Sequence, residues 1–126
     1  MSHALRTINL TLALAALALF AGCQSHSEKG VTSNYRSQWT TVNADTRATT
    51  EAAKAVFMED GLKDVAGTST NVDGSATAKK ADGTKVKANV EKKGDASQVS
   101  VTVGTMGDPS LGANIAKRIK DRAEGH

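Results

Sequence analysis

The chain has 126 residues, 39% hydrophobic and only 3% aromatic, with one cysteine and a formal net charge of +3 at pH 7. That length suits a single domain, and a lone cysteine excludes an internal disulfide. A pI near 9.1 would point a cytosolic chain toward nucleic acid, an expectation that the N-terminal segment removes.

In chain order, residues 1–22 read as an export signal. Arg6 supplies the one charge, Thr7 to Gly22 carry none, and Leu10–Phe20 is almost wholly Leu and Ala. A helix over Ile8–Phe20 would rise only about 20 Å at ~1.5 Å per residue, short of a ~30 Å hydrocarbon core. A cleavable signal is therefore expected rather than a permanent transmembrane helix.

The segment ends Leu19-Phe20-Ala21-Gly22-Cys23, which resembles the lipobox of bacterial lipoproteins. Small side chains at Ala21 and Gly22 admit an extended backbone to the peptidase. Cleavage is expected between Gly22 and Cys23, with the Cys23 sulfur taking a diacylglycerol. The competing readings are an ordinary soluble export signal and a metal pair of Cys23 with His26, which is at most half a zinc site. One acyl chain binds membranes marginally, whereas two or more signals anchor stably. The lipobox therefore implies a membrane partner held through lipidated Cys23.

Removing residues 1–22 leaves about 104 residues and a charge of about +2, since Arg6 goes with the signal. Export takes nucleic acid out of the expected partners and leaves acidic targets of the envelope: lipid headgroups, lipopolysaccharide or an acidic protein. Residues 23–30 are polar without periodicity and read as a tether; residues 31–124 read as one domain. Gln24 follows the cysteine where, in enterobacteria-like systems, Asp favours inner-membrane retention. The expectation is the outer membrane, facing the periplasm.

Within the domain, Tyr35–Val42 alternates, with Tyr35, Ser37, Trp39 and Thr41 on one side. That aromatic side is expected to face inward. Asn43 and Asp45 are candidate N-caps for a helix over Thr46–Glu59, whose Ala48, Ala52, Ala55, Val56 and Met58 or Phe57 are available to a core. Gly61 is a left-handed stop. Residues 62–105 read as an antiparallel meander with turns at Asp73-Gly74, Asp82-Gly83 and Lys93-Gly94-Asp95. In Thr84–Glu91 the residues Val86, Ala88 and Val90 alternate with polar ones, as Val99, Val101 and Val103 do in Gln98–Gly104. Asp108 then caps, and Pro109 opens, a helix to about Arg122 with Leu111, Ile115 and Ile119 at spacings of four. The fold class is α+β: strand, helix, four strands, helix, giving an antiparallel sheet of about five strands with the helices packed on one face.

The run Val101-Thr102-Val103-Gly104-Thr105-Met106-Gly107-Asp108 before a short Leu/Ile helix, together with the lipobox, resembles a family of small bacterial lipoproteins known as domain of unknown function three-five-six-eight. The likeness extends over most of residues 31–124. Met106 stands where that family has an aromatic. The order of elements is also similar to the helix-grip domains of the outer-membrane assembly lipoprotein BamC, a topological likeness that transfers no function.

The chemistry-bearing residues are sparse. His26 and His126 flank the domain, no Ser sits in a Gly-x-Ser-x-Gly elbow, and Glu59 with Asp60 adjoins a helix end as a solvated pair. No catalytic residue, metal site or cofactor is expected. Gly104–Gly107 lacks the Lys-Ser/Thr of a P-loop, so a strand bending into a capped helix is expected there rather than a phosphate cradle. Lys79, Lys80, Lys85, Lys87, Lys92 and Lys93 cluster along two adjacent strands and their turn. They read as a solvated, edge-protecting face or as a contact for anionic envelope surfaces. The function expected is a non-catalytic, lipid-anchored envelope protein that binds or scaffolds a protein partner. The alternative is a binder of an anionic ligand, lipid headgroup or lipopolysaccharide, through the basic sheet face.

Overall fold

A computed structural model describes residues 30–125; residues 1–29, which include the expected signal with Gly22 and Cys23 and the expected tether, lie outside the described residues, as does His126. The elements in order are β1 (Thr32–Ser33), β2 (Ser37–Val42), α1 (Thr46–Glu59), β3 (Lys63–Ser69), β4 (Asp73–Lys79), β5 (Lys85–Lys93), β6 (Ala96–Val103) and α2 (Pro109–Ala123). The strands form one antiparallel sheet in the order β1-β2-β6-β5-β4-β3. The architecture is α+β as expected, with the two-residue β1 as a sixth strand at one edge.

Both helices lie on the same face of this sheet. Val86, Ala88 and Val90 of β5 and Val99, Val101 and Val103 of β6 point into the core, as their alternation predicts, and meet Val56, Phe57, Ile115 and Ile119. Alanines at 52, 53, 76, 78, 88 and 116 are buried in the same core, so the helices ride close to the strands with little side-chain volume between. Burial at ~25 cal/mol per Å² of apolar surface is the main favourable term here.

The helix termini follow from local chemistry. Asp45 caps α1 by accepting from the Ala48 amide at 2.7 Å, and Asp108 caps α2 by accepting from the Leu111 amide at 3.1 Å. Asn43 is no cap; its backbone N–H donates to the Glu124 carboxylate at 2.8 Å. At the end of α1, Gly61 adopts φ +70°. Its amide reaches the Met58 carbonyl at 3.0 Å, and the Leu62 amide reaches that of Phe57 at 3.1 Å, a Schellman pair.

Three expectations are corrected. The inward side of β2 is Gln38, Thr40 and Val42, while Tyr35 precedes the strand and is 74% exposed. The reason is the approach of α2: a Cβ on Gly112 would stand 1.9 Å from Gln38 Oε1, leaving no room for an indole under the helix. The buried Gln38 is half satisfied: its Nε2 donates to Asn34 O at 2.8 Å and Ser33 Oγ at 3.1 Å, while its Oε1 has no partner among the described residues.

Asp73-Gly74 is not the β3–β4 turn. That turn is made at residues 70–72, where the Thr70 hydroxyl donates to Asp73 Oδ1 at 2.8 Å, and Asp73 and Gly74 begin β4. Gly74 serves closeness: a Cβ there would lie 2.1 Å from Thr50 Oγ1 of α1.

In α1, Ala48 and Met58 face solvent, and the buried side is Thr46, Thr49, Thr50, Ala52, Ala53, Val56 and Phe57. The threonines go inside because their hydroxyls are satisfied by backbone: Thr49 donates to Asp45 O at 2.8 Å, Thr50 to Thr46 O at 2.7 Å, and Thr46 to Thr70 O.

Candidate functional site

Both helices lie on one face, and among the described residues nothing covers the other face of the sheet. Strand alternation and register fix what it displays. One row runs Thr32, Trp39, Ser100, Asn89, Ser75, Thr68 from edge to edge; the next runs Ser37, Thr102, Lys87, Thr77, Ala66; a third joins Thr41, Gln98, Glu91 and Asp73. The surface is mostly hydroxyls and amides, with one indole.

The lysines divide. Lys79 and Lys85 are register partners on β4 and β5, and Lys63 of β3 faces Lys79 from the other side. Three ammonium groups thus stand side by side across three strands, with Lys87 one step along β5 and Lys80 in the following turn. Like charges directly opposite one another oppose pairing, so the row is a local cost to the fold. Lys79, Lys85 and Lys87 line a depression of about 330 Å³ together with Asp64, which sits at φ +55° in the bulge between Lys63 and Ala66. Lys92 and Lys93 lie at the other end of β5, about 26 Å away at ~3.3 Å per residue, where Lys93 Nζ is 3.5 Å from Glu91. Lys63 was missed in the sequence because its place in the row depends on a bulged, non-local register.

Gly104 and Gly107 both take positive φ, +67° and +81°. A Cβ on Gly107 would lie 2.1 Å from Tyr35 O, so this joint presses against the loop before β2. Met106 on one side of that contact is 84% exposed, and Tyr35 on the other is 74% exposed. The joint therefore ends β6 and starts α2, as its residues predict, and it brings two large apolar side chains to one end of the molecule.

A turn at the Lys80 end holds a carboxylate whose ionisation is perturbed. The Asp82 carboxyl is held below its ordinary 3.8 by the Thr84 hydroxyl and then the Thr84 amide at 2.9 Å, with Lys80 adding attraction. Among the described residues no group of three or more His, Cys, Asp or Glu is arranged to hold a metal, and no helix is long and apolar enough to cross a membrane. Gly22 and Cys23 lie outside the described residues.

A family model described as "Protein of unknown function (DUF3568)" matches residues 7–122. No curated protein matches the chain.

Proposed function

The chain belongs to the DUF3568 family, and from that premise we propose that it is a non-catalytic, lipid-anchored envelope protein, held through Cys23 on the periplasmic side of the outer membrane, that docks a protein partner. One observation carries the docking: Tyr35 and Met106, 74% and 84% exposed, flank the contact between Gly107 and the Tyr35 backbone. Large apolar side chains this exposed at one site, in a chain poor in aromatics, fit the anchors of an interface better than solvent. Gly107 packs directly against the Tyr35 backbone, so the segments that carry the two side chains brace each other, which lowers the ordering cost of docking.

The anchor and the docking are tested separately. Labelled palmitate is expected to enter the protein and to be lost in Cys23→Ala; a mature form that begins anywhere but Cys23 refutes the anchor. A photo-crosslinking residue at position 35 or 106 is expected to capture one protein in intact cells, and the same residue at position 71, in the β3–β4 turn, is not. Capture equal at both ends refutes the docking site.

A second reading is favoured by the Lys63–Lys79–Lys85 row: an anionic ligand, lipid headgroup or lipopolysaccharide, neutralises charges that otherwise weaken strand pairing. Its signature is binding to anionic vesicles that falls steeply with salt and is lost when Lys63, Lys79 and Lys85 are changed together to Gln.

A further inference from the structure

The other half of the open face has a different chemistry. Trp39, Ser100, Asn89, Gln98 and Glu91 line one depression of about 250 Å³. They come from three neighbouring strands: Trp39 pairs with Ser100, Ser100 with Asn89, and Gln98 with Glu91. Among the described residues, the side chains of Trp39, Asn89, Gln98 and Ser100 make no hydrogen bond to protein. The only charge in the depression is Glu91, and Lys93 stands 3.5 Å from it. An indole thus lies half-exposed beside two amides and a hydroxyl whose donors and acceptors are all unspent.

We infer that this face is a saccharide-binding platform, with Trp39 stacking on one pyranose ring and Ser100, Asn89, Gln98 and Glu91 bonding its hydroxyl groups. A sugar ring offers an apolar C–H face to an aromatic side chain and a rim of hydroxyls that both donate and accept. Each amide likewise both donates and accepts, and the carboxylate accepts. The indole supplies contact area at low conformational cost. Competing ligands fit less well. An anion finds no net positive charge here. An extended peptide adds to a sheet through unpaired backbone groups, and here β6 and β5 are paired along both sides while β2 is paired with β6 along its length and with β1 at Gln38 and Trp39.

The row also sets direction and length. From Trp39 it continues through Ser100, Asn89 and Ser75 to Thr68. Strands are spaced about 4.8 Å apart, close to the length of one β-linked pyranose unit. A second depression, of about 340 Å³, shares Asn89 and Glu91 with the first and extends it over Ser75 and Thr68, with Lys87 and Asp73 adding one charge of each sign to its wall. The ligand class is therefore an uncharged, extended oligosaccharide lying across the strands. This inference stands on the open face alone and depends neither on the lipid anchor nor on docking at Tyr35 and Met106.

Trp39 is the sole tryptophan, so its emission reports the site directly. The full chain, in a detergent without a sugar headgroup, is titrated with the β-1,4-linked trimer of N-acetylglucosamine, and in parallel with maltotriose, whose α-linkages curve the chain. The expected result is a saturable change in indole emission with the β-linked trimer, and a dissociation constant raised roughly tenfold in Asn89→Ala and in Gln98→Ala. Both variants are exposed-face changes, and urea midpoints matching the parent show that they remain folded; should one not, Ser100→Ala takes its place. No saturable change overturns the inference. So does a change that the variants leave untouched, because the indole alone would then be responding. Equal affinity for maltotriose overturns the extended row.

Discussion

Replacing Gly74 with alanine is expected to destabilise the domain by about 1–2 kcal/mol, through one atom. Gly74 lies outside the left-handed region, so the backbone itself accepts a side chain, and the obstacle is contact alone. The new methyl would stand 2.1 Å from Thr50 Oγ1, with Ser69 Cβ at a tight 3.3 Å and Thr50 Cβ at 3.4 Å, distances that a shift of a few tenths of an ångström relieves. Thr50 is 1% exposed, and its hydroxyl is engaged with Thr46 O at 2.7 Å; turning it away breaks a buried hydrogen bond. Overpacking of this kind costs ~1–3 kcal/mol. Removing glycine from a strand returns ~0.5–1 kcal/mol. Urea unfolding of the parent and Gly74→Ala should show a midpoint lower by about 1 M, given a slope of ~1–1.5 kcal/mol/M for a small domain. In a Thr50→Ala background the obstructing atom is gone, and Gly74→Ala should become neutral or mildly stabilising, a coupling of about 1–2 kcal/mol. An equal loss in both backgrounds, or no loss in the parent, would refute close helix–sheet approach as the reason for this glycine.

Two further expectations follow from the loops. Asp108→Ala should cost ~0.5–2 kcal/mol by removing the cap on α2, and Gly107→Ala should cost more, because its methyl would meet Tyr35 O at 2.1 Å in a φ +81° conformation; thermal midpoints in the opposite order would contradict this. Asp82 should titrate below 3.8 in a carboxyl NMR experiment. Its folded value is depressed, so its small contribution is complete above the unfolded value and lost as pH falls through the folded one; in Thr84→Val the midpoint should move back up.

What the sequence disclosed depended on how local the cause was. Both Asp caps, the Gly61 stop and the valine alternation in β5 and β6 are short-range chemistry, and each appears where its residues place it. The failures share a different origin. The buried side of β2 was assigned by its aromatics, yet Gly112, more than seventy positions later, decides which side fits under α2. Asp73-Gly74 carries hairpin composition, but its glycine answers to Thr50 in α1. The threonine-lined side of α1 was passed over for alanines, because backbone acceptors for the threonine hydroxyls are visible only in the fold. For the candidate sites, the six lysines were legible as a charge run, whereas the Lys63 row and the cluster around Trp39 exist only through strand register.

The thin attachment of β1 has a mechanical consequence. The strand holds β2 by two register pairs, Thr32 to Trp39 and Ser33 to Gln38, while β2 is bound to β6 along six. A chain held at its N-terminal side transmits load first to β1, where the ladder opens one bond at a time instead of shearing as a block. The restraints there are the Gln38 side-chain amide on Ser33 and Asn34, the Thr40 hydroxyl on Gly30 O at 2.8 Å, Val31 against the core and the Tyr35 backbone against Gly107. Their release frees residues 30–36, about 20 Å of chain at ~3.3 Å each, with the β2–β6 ladder and both helices intact. Pulling from the N-terminal side against residue 125 should show this short step at low force before the main rupture, and its absence would mean that β1 yields together with β2. The edge strand thus acts as a reserve of length that a load on the N-terminal side takes up before the rest of the domain yields.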